Sequence, residues 1–220
     1  MNEIERFQLL MAEWGNEVIL PHVERIKNKE PTVFSHREVF NTIFMGSTEI
    51  TETFEALQFS ETLLSVASPR SKKVAKEKYI KYVINTYLQD VYILKERLNT
   101  YATKIKRMHE RAGRRDLVSK HIDPLFPLIK SSFQGIVDVR GAHVHSARYT
   151  DEQVTEATSM ALIAAYNEDY TNHFEYSVMK LCNDWRIRIS KNNIETEKLL
   201  KKYFSNIQSV IEVNGSVFVP

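Results

Sequence analysis

Glycine and proline are scarce, at 6 each in 220 residues. Both residues punctuate a chain, so turns must be few and elements long, which favours helices. Cysteine is scarcer still. Cys182 alone excludes an internal disulfide and any cysteine-cluster zinc site, fits a reducing compartment, and reads most simply as a small buried apolar residue. No apolar run approaches the ~18 residues of a membrane span. The opening Met1-Asn2-Glu3-Ile4-Glu5-Arg6 is acidic where a secretory signal would be basic. A soluble, cytoplasmic protein with no membrane segment is expected. Also missing are a Gly-rich phosphate loop, a His-Glu-x-x-His and a nucleophile elbow. No Glu stands three residues before any of the 7 histidines, which removes the carboxylate-bridged metal sites of ferritin-like bundles.

What is present is unevenly distributed. Residues 1–69 carry 5 Lys+Arg against 11 Asp+Glu, residues 70–120 carry 15 against 5, and residues 121–220 carry 10 against 12. A net charge of +2 therefore conceals a strongly basic middle third. Such a segment attracts polyanions and binds phosphates through counterion release, and Lys72, Lys73, Lys76, Lys104, Lys106 and Arg107 are its candidate RNA contacts. A Lys-rich, solvated helix face is the alternative.

The clearest periodicity runs through Ile80, Ile84, Tyr87, Val91, Leu94, Leu98, Tyr101 and Ile105, spaced alternately by four and three. This predicts a long helix with one face packed along a partner, as in bundles and coiled coils, and Gly113 is its expected stop. Ile4, Phe7, Met11, Trp14 and Val18 mark an N-terminal helix that Pro21 should kink or end. Helices follow at about 35–45 and 48–67, and a short one at about 128–140 after the break at residues 121–127. Thr150-Asp151-Glu152-Gln153 announces a second long helix, with Thr150 as cap and Gln153 closing a capping box. Its later stripe is Tyr170, Phe174, Val178, Leu181, Trp185 and Ile189. Asn214-Gly215 between two β-branched runs signals a hairpin, unless Gly215 merely follows a helix end. The expected fold is all-α: a single domain over 1–220, built as a bundle of long antiparallel helices with a small C-terminal β-hairpin. Acidic helices would occupy 1–69, the bundle core 70–190, and a C-terminal helix with the hairpin 191–220.

One stretch can carry chemistry: Asp138-Val139-Arg140-Gly141-Ala142-His143-Val144-His145. Arginine is a permanent forked cation suited to phosphate, and histidine exchanges a proton near neutral pH. Together they suffice for metal-free RNA cleavage. The His helps deprotonate the ribose 2′-hydroxyl or protonate the leaving 5′-oxygen, and the Arg stabilises charge on the phosphorane-like transition state. The His143-x-His145 pair lacks evident metal co-ligands beyond Asp138 and Asp151, so neither metal nor other cofactor is expected.

Arg140 with His145 five positions later, between helices of an all-α chain, resembles the Arg-His signature of the HEPN superfamily. The resemblance implies a helical bundle, frequent homodimerisation and metal-independent endoribonuclease activity in toxin or defence systems, with Arg140 and His145 as the catalytic pair. It further implies RNA as a partner, alongside a neutralising antitoxin or another protein. Gly141 stands where the family often has a polar residue, and Ala147 where one toxin branch has a tyrosine. On an unbroken helix five residues advance about 500°, leaving Arg140 and His145 roughly 140° apart. Either Gly141 interrupts the helix or a symmetric dimer completes the cleft. His143 would lie on the Arg140 side, which makes it, with Asp138, a supporting candidate. Two further readings stay open: a non-catalytic helical module binding nucleic acid or protein, and a scaffold using the 80–105 seam for oligomerisation alone.

Overall fold

The computed structural model describes residues 1–31, 37–66, 69, 71, 73–134 and 151–219. The fold is all-α, a bundle of long helices closed by a small hairpin. In chain order they are α1 (Glu3–Lys27), α2 (Arg37–Phe40), a π-helical turn (Asn41–Met45), α3 (Gly46–Ser65), α4 (Lys76–Arg111), α5 (Arg115–His121), α6 (described over 125–134), α7 (Glu152–Tyr166), a 3-10 turn (Glu168–Tyr170), α8 (Thr171–Ile211), β1 (Glu212–Val213) and β2 (Ser216–Val217). Among the described residues, no helix is long and apolar enough to cross a membrane.

Packing divides the chain into two compact units: Met1–Thr51, Lys95–Ser132 and Thr196–Pro220 form the first, Glu52–Leu94 and Phe133–Glu195 the second. The core of the first is aromatic. Phe7 stacks on Phe204 at 4.5 Å, and Tyr203 lies edge-on to Phe204. Two buried tyrosines satisfy their hydroxyls on helix carbonyls, Tyr203 donating to Leu98 O at 2.8 Å and Tyr101 to Ile43 O at 3.1 Å. Burial pushes both phenols well above the usual range. The Ile43 carbonyl belongs to the π-turn, whose Gly46 lies so close to the Tyr101 ring that an added Cβ would sit 2.6 Å from it.

In the second unit Leu57, Ile80, Ile84, Tyr87, Val91, Leu94, Leu181 and Ile189 are buried. Asn193 is the polar pin of this core. Its amide donates to Leu57 O at 3.3 Å and Glu61 Oε2 at 2.8 Å, and its oxygen accepts from the Tyr87 hydroxyl at 3.4 Å. Half-buried Cys182 donates to Leu64 O at 3.3 Å, and burial raises its thiol pKa.

All eight seam residues of α4 are buried by the chain's own helices, so this face is not available for oligomerisation. Gly113 ends α4 as expected: it adopts φ 78°, and Arg114 N–H returns to His109 O at 2.9 Å. The hairpin is also as expected. Asn214 (φ 53°) and Gly215 (φ 81°) supply the two left-handed residues of its turn, with Glu212 opposite Val217 and Val213 opposite Ser216.

Four expectations need correction or narrowing. Of the two outcomes expected at Pro21, a kink or an end, the end does not occur, since α1 continues to Lys27. The helix is anchored upstream by an Asn2 capping box and by buried Phe7, Leu10, Met11 and Trp14, and Pro21 falls on its exposed side, as does Glu17 four residues before it, whose carbonyl loses the usual N–H partner. The cap of α7 is Asp151, not Thr150: its carboxylate accepts from Val154 N–H at 2.8 Å, while Gln153 turns to Asp184 at 2.6 Å. Thr150 itself lies outside the described residues. The long helix expected from there through Ile189 is two helices, because Asn167 takes an extended conformation (φ −142°, ψ 109°) and its side chain accepts from Asp169 N–H. Finally, α6 starts by residue 125 rather than 128, since Pro127 falls in its first turn, where a missing N–H costs nothing.

Candidate functional site

The stretch holding Asp138, Arg140, His143 and His145 lies outside the described residues, as does Lys72. The flanks of that stretch are described. On one side, α6 buries Leu125, Ile129 and Phe133 at helical spacing. On the other, Asp151 fixes the start of α7 against α8: besides capping, its Oδ2 accepts from Trp185 Nε1 at 3.2 Å and lies 3.6 Å from Arg188 Nη1. Arg188 in turn lies over the Trp185 ring at 5.3 Å. The helical frame thus delivers the chain to residue 151 at a well-held point, with a cap, an indole and a guanidinium converging on one carboxylate.

The basic segment resolves into cations with different commitments. Within the second unit, Lys73 is exposed, and Lys76 is engaged by both carboxylate oxygens of Glu175 at 2.7 and 2.6 Å. Within the first unit, Lys106 is held by Asp123 at 2.6 Å and Glu110 at 3.8 Å, and its hydrogen bond to Asp123 raises its pKa. Lys106 is therefore a structural link between α4 and the turn before α6 more than a free phosphate contact.

Lys104 and Arg107 differ: they line a groove of about 500 Å³ between α4 and the α2–π-turn segment. Arg111, Met108 and Ala112 complete the α4 wall, and Glu38, Val39 and Thr42 form the other. Lys104, Arg107 and Arg111 are exposed. They stand at i, i+3 and i+7, so helical geometry puts three cations on one face about 10 Å long. Sequence reasoning missed Arg111 and the wall opposite. The first was accessible from its spacing to Arg107; the second needs a contact across some 65 residues that no periodicity encodes.

A further buried ionisable group closes α4. His109 is fully buried, and its Nδ1 accepts from Arg114 Nη1 at 3.1 Å, since guanidinium only donates. Nε2 then carries the proton and has no hydrogen-bond partner among the described residues. Phe218 packs 5.8 Å from the imidazole and lies under the Arg114 guanidinium at 4.5 Å. Desolvation, reinforced by Arg114, lowers the His109 pKa to about 4, so the group is neutral and unsuited to acid–base work at pH 7.

Comparison of the chain with protein-family models, with curated proteins and with solved structures gave no match, so the functional reading stands on its residues and geometry.

Proposed function

We propose that the chain is a cytoplasmic, metal-independent endoribonuclease of the toxin or defence kind, with Arg140 and His145 as its catalytic pair. The observation that carries this reading is the Arg140-x4-His145 motif in an all-α bundle, at sequence positions between α6 and the Asp151-capped start of α7. Its resemblance to the HEPN signature supplies the reaction class. The ribose 2′-oxygen attacks phosphorus as its proton passes to His145, and the bond to the 5′-oxygen breaks. Arg140 stabilises the extra negative charge on the equatorial oxygens. His143 and Asp138 support the pair. The products are a 2′,3′-cyclic phosphate and a 5′-hydroxyl, and the 5′-oxygen takes a proton from a general acid or solvent.

The assembly belonging to this reading is a homodimer. With the α4 seam filled internally, the face offered to a second copy is the apolar end of α7, where Leu162, Ile163 and Tyr166 are exposed. A 63% exposed leucine beside a 92% exposed tyrosine is a feature that a partner surface explains. A neutralising protein is the further partner expected of a toxin.

The test is RNA turnover by the purified chain, with and without chelator, by wild type, Arg140→Ala and His145→Ala. Cleavage that survives chelator and disappears in both variants is expected, because each role is worth about 10²–10⁴ in rate. Cleavage only with added divalent metal, or full activity in His145→Ala, overturns the assignment. The basic groove of the first unit favours one second reading, a non-catalytic nucleic-acid-binding module. Its signature is salt-sensitive RNA retention without turnover.

A further inference from the structure

The groove between α4 and the α2–π-turn segment has two chemically distinct sides. Taking Lys104 as origin on the α4 helical wheel, Arg107 and Arg111 fall within about 60° to one side, whereas Met108 and Ala112 fall within about 80° to the other. One side is cationic and the other apolar, and Val39 on the facing wall extends the apolar side. Glu38 and Thr42 complete that facing wall. Among the described residues, Lys104, Arg107 and Arg111 make no ion pair, in contrast to Lys106 one residue away from Arg107. Three like charges at i, i+3 and i+7, three and four residues apart in turn, repel one another on one helix face, and a bound polyanion relieves that repulsion.

We propose that this groove binds a nucleoside polyphosphate, with its phosphates on Lys104, Arg107 and Arg111 and its base against Met108, Ala112 and Val39. The length of the cationic row matches several linked phosphates better than one, and arginine forks take phosphate oxygens in pairs. The apolar side accommodates a flat ring, and the Glu38 carboxylate accepts from amino or hydroxyl donors on base or ribose. That single carboxylate among three cations is what a bare polyphosphate would disfavour and a nucleotide would use. The same chemistry is presented by a free nucleotide and by the 5′-triphosphate end of an RNA. Neither Arg140 nor His145 is among the residues that line it, and binding is read independently of any cleavage.

Calorimetric titration of the full chain, without divalent metal, tests this with ATP, inorganic tripolyphosphate, and one RNA prepared with either a 5′-triphosphate or a 5′-hydroxyl. ATP should bind saturably at one site. Arg107→Glu combined with Arg111→Glu should weaken it at least about 100-fold, from the loss of two charge-assisted contacts. Lys120→Glu, an exposed lysine of the same unit outside the groove, should leave it within about twofold. Glu38→Gln should weaken ATP while strengthening tripolyphosphate, which separates recognition of the nucleoside from simple charge attraction. A 5′-triphosphate that tightens RNA binding at least about tenfold identifies the RNA end as the source, and no such gain alongside ATP binding identifies the free nucleotide. The proposal falls if ATP does not bind, or if the Arg107/Arg111 variant keeps wild-type affinity with its helical circular dichroism intact. It falls equally if Glu38→Gln strengthens ATP and tripolyphosphate alike. Should the charge reversal unfold the chain, Arg107→Gln with Arg111→Gln provides the same comparison without introducing acids.

Discussion

Helices α4 and α7 make opposite use of their apolar residues. The sequence of α4 is rich in lysine and arginine, yet eight apolar residues at alternating spacing are all buried, none more than 2% exposed. The sequence of α7 ends in Met160-Ala161-Leu162-Ile163-Ala164-Ala165-Tyr166, but the helix buries only Val154 and Ala157. Burial follows the arrangement of apolar residues around the axis, not their share of the sequence. A helix with a clean stripe fills the core of its own chain; α7, whose apolar residues crowd its last two turns instead of following one stripe, leaves Leu162, Ile163 and Tyr166 as a surface for something else.

The sharpest way to break this contrast is a truncation in each helix. Leu94→Ala removes a fully buried side chain from α4 and should cost about 2–5 kcal/mol, read from the urea midpoint. A loss below about 1 kcal/mol would mean that the α4 seam is not the packed core described.

The second largest effect concerns pH, at the C-terminal end of α4. Buried His109 has its pKa lowered from 6.5 to about 4, so the unfolded chain binds a proton between these values that the folded chain does not. Stability therefore rises with pH across this window and is lost as pH falls from about 6.5 towards about 4, by up to about 3 kcal/mol. His109→Gln keeps an acceptor for Arg114 and should flatten that dependence. Denaturation curves at pH 7 and pH 4.5 decide it: an unchanged difference between wild type and variant places the acid sensitivity elsewhere.

Smaller again is the effect at the π-turn. Gly46→Ala introduces a methyl group 2.6 Å from the Tyr101 ring, which is itself tied to Ile43 O. The ring must shift or the hydrogen bond must lengthen, at a cost of about 1–3 kcal/mol. Tyr101→Phe removes the tie and leaves the ring freer to move, so the double variant should lose less than the sum of the two single losses.

How far these features could be read from the sequence depends on the range of their causes. The α4 seam, the Gly113 stop and the Asn214-Gly215 turn are local: a few residues impose period, left-handed backbone or turn type without help from the rest of the chain. The break at Asn167 carries no punctuation in the sequence, because Glu168-Asp169-Tyr170-Thr171 contains neither glycine nor proline, and what marks it in the fold is an extended asparagine whose side chain accepts from Asp169 N–H. Lys106 looked like one more displayed cation because its partner Asp123 is 17 residues away. Charge counting reached Lys104 and Arg107, but the groove they share with Glu38 is a product of folding. Arg140 and His145 are legible as a motif, and the described structure adds only the firmly held helix start at Asp151 that follows them.

The smallest effect on stability falls on α7 and sharpens the comparison most. Leu162→Ala should change the unfolding free energy by no more than about 0.5 kcal/mol, because a side chain already 63% exposed has little burial to lose. The same face should respond strongly in assembly. At micromolar concentration light scattering should give about twice the 25.7 kDa chain mass, and Leu162→Asp with Tyr166→Asp should return it to the monomer with helical content unchanged. A charged pair placed in an apolar contact is desolvated without compensation in the dimer, yet stays hydrated in the monomer, so the penalty falls on association alone. If the wild type is monomeric while cleaving RNA, the apolar end of α7 serves a different partner and the shared-cleft geometry for Arg140 and His145 is wrong. If the variant stays dimeric, the interface lies on another face. Either result would leave the truncation contrast with Leu94 standing, because that contrast depends only on what each helix buries within its own chain.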